Sequence, residues 1–509
     1  MKYIVHSLSA FAFLSAALLG FSFLSSHAQA QQSGASSGVD LIELRNFAGA
    51  ANVDGTGVRV LQVEAALNGN YSPDPNDSFL TTNNFNDIGN TQSTGVLNHA
   101  RDVGRIFYGS RTSESAVNRF GIAPALGSTG NPPIDILGAN EFLNDRLGSG
   151  NQTPEIQSQA VSNHSYVFNL STDPNVPEAA KIASAEDRLR RLDYSINEGN
   201  TTTVVGTGLG VNDPLPAGLV QAYNTINVGL SDGQHTAGRT TLNGEDRLVI
   251  HVVADQGTSP SNATAVVSGG AAILHQTGAG TDAVKQEVIK ATILAGATKD
   301  DLSGPWTRTT DQPLDLVYGA GELNVLNNHL IQTGGEVSGG TSSATATSIG
   351  RNGWDYKEVI LANDKRFYEF IVDSNETLED LSIALAWNRE VVDGLPGSNA
   401  FQATYNPLVD LSLELRDASG NLIDFSNSEL DNVEHIFAPE LSAGTYQIIV
   451  SNLSQNNPFN PFNTFNFSTD YGLAFRSTSI SISQIPEPSS LAVLVFLAIG
   501  VSAQRRRQT

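Results

Sequence analysis

Ser259-Pro260-Ser261-Asn262-Ala263-Thr264-Ala265-Val266-Val267-Ser268-Gly269-Gly270-Ala271-Ala272-Ile273-Leu274 is the stretch on which the reading of this chain turns. Small residues dominate it, which lets a helix pack closely under a sheet. A serine in the first turn of such a helix lies among N–H groups without intrahelical partners, at the positive end of the helix dipole. Negative charge developing there is stabilised. Serine is also an ordinary helix cap, so this stretch alone does not establish chemistry. Two serines compete for the role, Ser261 and Ser259, the latter preceded by Gly257-Thr258.

Two upstream segments supply the company it needs. Gly55-Thr56-Gly57-Val58-Arg59-Val60-Leu61-Gln62-Val63-Glu64-Ala65 reads as a buried strand ending in a carboxylate, placed to reach a cleft at the carboxyl end of a parallel sheet. Asn98-His99-Ala100-Arg101-Asp102-Val103-Gly104-Arg105-Ile106-Phe107 puts a histidine at the start of a helix. Around them β-branched runs (Val58–Val63, Val204-Val205, Leu248–Val253) alternate with Ala-rich helical stretches (Ala179–Leu192, Ala263–Gln276). That alternation predicts an α/β domain over residues 40–335.

Acid, histidine and serine in that order is the order of subtilisin. Over roughly residues 50–335 the chain resembles the subtilase family. The resemblance extends through Asn163-His164-Ser165, Arg191-Leu192-Asp193-Tyr194, Ala222-Tyr223-Asn224-Thr225-Ile226-Asn227-Val228-Gly229 and Tyr318-Gly319-Ala320-Gly321-Glu322-Leu323-Asn324. It implies a mostly parallel sheet flanked by helices, and a serine endopeptidase working through an acyl-enzyme with Glu64, His99 and Ser261 as its triad. The family usually carries aspartate where Glu64 stands. The S-x-A-T pattern selects Ser261, whereas Gly257-Thr258-Ser259 spells the family's Gly-Thr-Ser and keeps Ser259 as the alternative nucleophile. In Thr203-Val204-Val205-Gly206-Thr207-Gly208-Leu209-Gly210 the family's oxyanion-hole asparagine is replaced by Leu209, with Asn212 as an alternative donor. These departures define a second expectation, a catalytically impaired subtilase-fold surface protein acting in binding or structure. An occluding Tyr71–Gln92 insertion would favour it. Only residues 31–63 precede Glu64 after the expected leader, too few for an independently folded prodomain.

Composition bounds the rest. Lys plus Arg number 28 against 52 Asp plus Glu, a net charge of −24, which excludes a nucleic-acid footprint. There is no cysteine, so disulfides, thiol catalysis and thiolate metal sites are out. No cofactor or metal is required. A structural calcium ion is conceivable at Asp74-Pro75-Asn76-Asp77, although the spacing falls short of an EF-hand and solvated loops are expected.

Lys2, His6, the apolar Phe11–Leu24 and Ala28-Gln29-Ala30 read as a signal peptide over 1–30, for a signal peptidase, with a polar linker over 31–39. At the other end Ile485-Pro486-Glu487-Pro488, the apolar Leu491–Ala503 and Arg505-Arg506-Arg507 resemble a PEP-CTERM sorting segment over 481–509. The resemblance implies export to the surface of a Gram-negative-type bacterium, transient membrane association through the tail, and processing by an exosortase. A Gly/Ser/Thr linker is expected over 336–348. An all-β sandwich over 349–480 follows, similar to the P-domain-like and pre-peptidase C-terminal modules that trail subtilases. Its strands include Phe367–Val372, Leu381–Trp387, Leu411–Leu415 and Tyr446–Val450, with a hairpin turn at Asp417–Asn421. This boundary predicts an α/β half that holds its fold after cleavage within 334–348.

Overall fold

Val60–Glu64 (β1) is buried from end to end, and it lies inside a seven-stranded parallel sheet of order β2-β3-β1-β4-β5-β6-β7. The other strands are Phe85–Asp87 (β2), Ile134–Gly138 (β3), Val161–His164 (β4), Thr202–Gly206 (β5), Ile226–Leu230 (β6) and Val252–Ala254 (β7). The computed structural model describes residues 39–47, 53–110, 121–244, 246–255, 259–398, 400–454 and 468–481. The expected signal peptide, nearly all of the 31–39 linker and the tail beyond 481 lie outside the described residues, as do Gly257 and Thr258. After β1 the chain goes to the edge at β2, returns through β3 beside β1, then crosses to β4 on the opposite side. The carboxyl end of β1 is therefore a topological switch point, where α/β sheets form their clefts.

Strand pleating sorts the side chains of β1. Leu61 and Val63 join Leu189, Leu192 and Ile196 of the helix Glu178–Gly199. Val60 faces the opposite layer, with Val103 and Phe107 of the helix Asn98–Phe107 (α1) and Val266 and Ile273 of the helix Pro260–Thr277 (α2). The period of two puts Gln62 and Glu64 on that same face, toward α1. The small residues of α2 act as the sequence predicts: a Cβ on Gly269 would lie 2.4 Å from the Ile122 Cβ, so only glycine permits this approach.

The C-terminal unit is a sandwich of a five-stranded and a four-stranded antiparallel sheet, the five-stranded one carrying a short parallel edge strand, Thr347–Ser348. Tyr368, Ile383, Leu413, Ile436, Ile448 and Phe475 fill the space between them. The hairpin turn stands where expected: Asp417 N–H donates to Asn421 O at 3.0 Å, and Gly420 takes φ +82°.

The two units are not tethered loosely. The helix Gln286–Gly296 (α3) is buried at every residue, because its outer side is covered by the sandwich. Val288, Ala291 and Ala295 pack with Trp354, Ala384, Ala386, Val433 and Ala474. The stretch 336–348 is itself held down: Val337 N–H donates to Trp354 O at 2.8 Å and Gly340 N–H to Phe367 O at 2.9 Å. Polar groups also cross the junction. Leu248 N–H donates to Asp431, Asn432 to Tyr223 O, and Tyr405 O–H to the buried Asp193.

Candidate active site

The strand and helix that carry the predicted acid and histidine bring them together. Glu64 is 1% exposed, and its Oε2 lies 2.7 Å from His99 Nδ1. The His99 side chain is 44% exposed, so one ring nitrogen is committed to Glu64 and Nε2 is left for the groove. The Glu64 hydrogen bond raises the His99 pKa above its ordinary value; burial opposes the rise and the charges of Glu64 and Asp102 add to it. Glu64 does not stand alone beneath the histidine. Gln62, fully buried, donates from Nε2 to Glu64 Oε1 at 2.7 Å and to Ala100 O at 3.0 Å, and Tyr108 O–H donates to Gln62 Oε1. Burial and the Glu64 charge push the Tyr108 phenol well up.

Ser261 enters from α2. Pro260 fills the first helical position and Ser259 the cap, whose side chain makes no capping bond. Ser261 is thus a first-turn residue, with its backbone N–H outside the intrahelical ladder. Its hydroxyl donates to Ser165 O at 3.2 Å, and Ser165 Oγ donates back to Ser261 O at 2.9 Å. Among the described residues no hydrogen bond joins Ser261 to His99. Both nevertheless line one groove of about 730 Å³, together with Ala65, Leu97, Tyr166 and Leu209. Ser259 does not line it.

The loop after β5 also reaches the groove. Leu209 lines it and is 62% exposed. Asn212 is exposed and is absent from the groove wall, and no residue of 71–92 lines it either. Asn163 and His164 prove to be supports. Asn163 Oδ1 accepts from Ser268 of α2 at 2.9 Å, and burial drives the His164 pKa down to about 3. At the loop proposed for calcium, Asp77 is engaged by Arg105, whose hydrogen bonds hold the carboxyl below its usual range. No group of three or more His, Cys, Asp or Glu suited to a metal ion occurs among the described residues.

Gln62 and Tyr108 were not singled out from the sequence. The available signal was one polar residue in an otherwise apolar strand, two positions before the acid and so on its face.

No family model and no curated protein sequence matches the chain. Among solved structures, the chain is similar to the psychrophilic subtilisin-like protease Apa1 from the Antarctic psychrotroph Pseudoalteromonas sp. AS-11. That match has 11% identity and a TM-score of 0.36, over 57% of this chain and 97% of that one. It is also similar to fervidolysin from Fervidobacterium pennivorans, a keratinolytic enzyme related to subtilisin, at 11% identity and TM-score 0.35, over 79% of this chain and 75% of that one. A further match, to the pre-peptidase C-terminal domain of collagenase from Bacillus anthracis, has 14% identity and TM-score 0.17, over 26% of this chain and 93% of that one. The solved structures to which this chain is similar thus include subtilisin-like proteases and a pre-peptidase C-terminal domain.

Proposed function

We propose that the chain is an exported subtilisin-like serine endopeptidase, in which Ser261 attacks a peptide carbonyl, His99 takes its proton, and Glu64 holds the imidazole. One observation carries this reading: His99 and Ser261, far apart in sequence, line one groove, with the buried Glu64 at 2.7 Å from His99 and Ser261 in the first turn of α2. Rotation of the Ser261 side chain away from Ser165 O would free the hydroxyl for His99 Nε2. The buried Glu64 would then offset the imidazolium charge. Ser261 is the better nucleophile on position, since it lines the groove and Ser259 does not. Export through the leader at 1–30, sorting through the tail at 481–509 and action on protein or peptide substrates belong to the same proposal. Among the described residues no helix is long and apolar enough to cross a membrane.

Leu209 favours a second reading, a protein that keeps the groove for binding and has lost hydrolysis, because a leucine side chain donates no hydrogen bond to an oxyanion. Turnover of a fluorogenic peptide library by the purified chain separates the two. The expected result is cleavage that His99→Ala lowers by about 10⁶-fold, a magnitude that comes from subtilisin itself.

The pH profile is a further prediction. His99 acts as a base only when neutral, and its pKa lies above the ordinary 6.5. Activity should therefore rise with pH through a midpoint above that value. The sign for stability is opposite: the raised pKa contributes stability below the unfolded value, and this is lost as pH rises through the folded one. Solvent screening of the half-exposed ring keeps that contribution small. A rate already at its plateau below about pH 6 contradicts the assignment.

A further inference from the structure

We propose that Gln62, locked by Tyr108, is the positioning residue that fixes the Glu64 carboxylate and the His99-bearing helix in one geometry. The inference rests on the reading of Glu64 and His99 as an acid–base pair, and it adds what lies behind them.

Glutamate has one more rotatable bond than the aspartate usual in subtilases, so a glutamate at the end of β1 needs additional restraint to present one oxygen to His99. Gln62 supplies it from the same pleat face. Its Nε2 meets two acceptors, Glu64 Oε1 at 2.7 Å and Ala100 O at 3.0 Å, while its Oε1 accepts the Tyr108 hydroxyl. The amide orientation is thereby fixed by chemistry, since a flip would set a carbonyl oxygen against two acceptors. The second bond matters as much as the first. Ala100 is the neighbour of His99, so one amide ties the acid's strand to the first turn of the histidine's helix.

Tyr108 is held in turn. Its ring lies 5.4 Å from the Phe107 ring and 6.0 Å from that of Phe85. Its hydroxyl occupies space left by Gly104, where a Cβ would approach it to 2.6 Å. Tyr108, Gln62 and Glu64 are all buried, so no water competes for these bonds. An apolar residue at position 62 would pack between strand and helix but would leave Glu64 Oε1 buried without its donor. The carboxylate would then turn away or take up a proton, and His99 would lose its fixed partner.

The test is a titration of the His99 Cε1–H resonance by NMR in the full chain, which requires no turnover. Gln62→Leu should lower the His99 pKa by about one unit, toward the ordinary imidazole value. Tyr108→Phe, which frees the amide to rotate, should move it in the same direction by less, and it serves if Gln62→Leu fails to fold. Val60→Ala, on the same face but outside the chain of bonds, should lower the melting temperature and leave the titration where it was. Where peptide hydrolysis is measurable, Gln62→Leu should lower kcat about 10- to 100-fold with little change in KM. A His99 titration unchanged in both Gln62→Leu and Tyr108→Phe, while Glu64→Gln lowers it, would overturn the proposal and leave the acid–base pair standing. If Glu64→Gln leaves it unchanged too, the pair itself is wrong.

Discussion

Leu209→Asn should raise turnover about ten- to a thousand-fold, with KM little changed. One oxyanion-hole donor is worth about 10²–10³ in turnover, a magnitude that comes from subtilisin itself. The substitution costs the fold little, since Leu209 is 62% exposed and loses almost no burial. Its loop is held by backbone and threonine hydroxyl bonds rather than by the leucine: Thr236 N–H donates to Gly208 O at 2.8 Å, Thr207 Oγ1 to Thr236 O at 2.7 Å, and Thr236 Oγ1 to Gly210 O at 2.8 Å. An asparagine at 209 is thus presented to the same groove as Ser261. The gain belongs to kcat because the donor acts on charge that develops only in the transition state. It should vanish in a His99→Ala background. Peptide-hydrolysis kinetics of the single and double variants check this, and an active wild type that gains nothing from Leu209→Asn means another donor already fills the hole.

Uncoupling the sandwich should have the largest effect on stability. Gly472 of the strand Thr469–Ser481 runs so close to α3 that a Cβ there would stand 2.4 Å from the Val288 N. That obstacle is helix backbone, which cannot rotate aside. Gly472→Ala should therefore cost about 3 kcal/mol or force the units apart. A chain ending at residue 335 should fare worse, because every residue of α3 is buried and much of that cover is sandwich. Asn388, which donates to the buried Glu287, would be lost with it. This geometry argues against the expectation of a self-standing α/β half, and the truncated chain tests it. Calorimetry of the full chain should show one cooperative transition, lowered by Gly472→Ala. Two independent transitions, or a truncated chain that melts cooperatively on its own, would show that the units are autonomous.

The legible part of the sequence was the part with local signatures. Small residues from Ala263 to Leu274 announced a tightly packed helix, and β-branched runs marked the strands that flank it. The apolar run ahead of Glu64 likewise marked a buried strand ending in a carboxylate. The sandwich strands and their Asp417–Asn421 turn were readable for the same reason. What escaped depends on partners distant in the chain. Gln286–Gly296 carries Glu287 and Lys290, yet both are buried: Glu287 accepts from Asn388 of the sandwich, and Lys290 donates to Tyr223 O. Gln62 is one polar residue in an apolar strand, and its partners Ala100 O and Tyr108 come from α1 and its C-terminal end, 38 and 46 positions on. The reciprocal Ser165–Ser261 bonds likewise join β4's carboxyl end to α2 across 96 positions of sequence. No local pattern encodes them.

Covalent labelling decides whether Ser261 is a nucleophile activated by the His99–Glu64 pair. The purified chain is treated with a fluorophosphonate, digested, and the adduct located by mass spectrometry. The predicted result is a phosphonyl group on Ser261, lost in Ser261→Ala and His99→Ala and retained in Ser259→Ala. An adduct on Ser259, or no adduct on a folded chain at any pH, would contradict it.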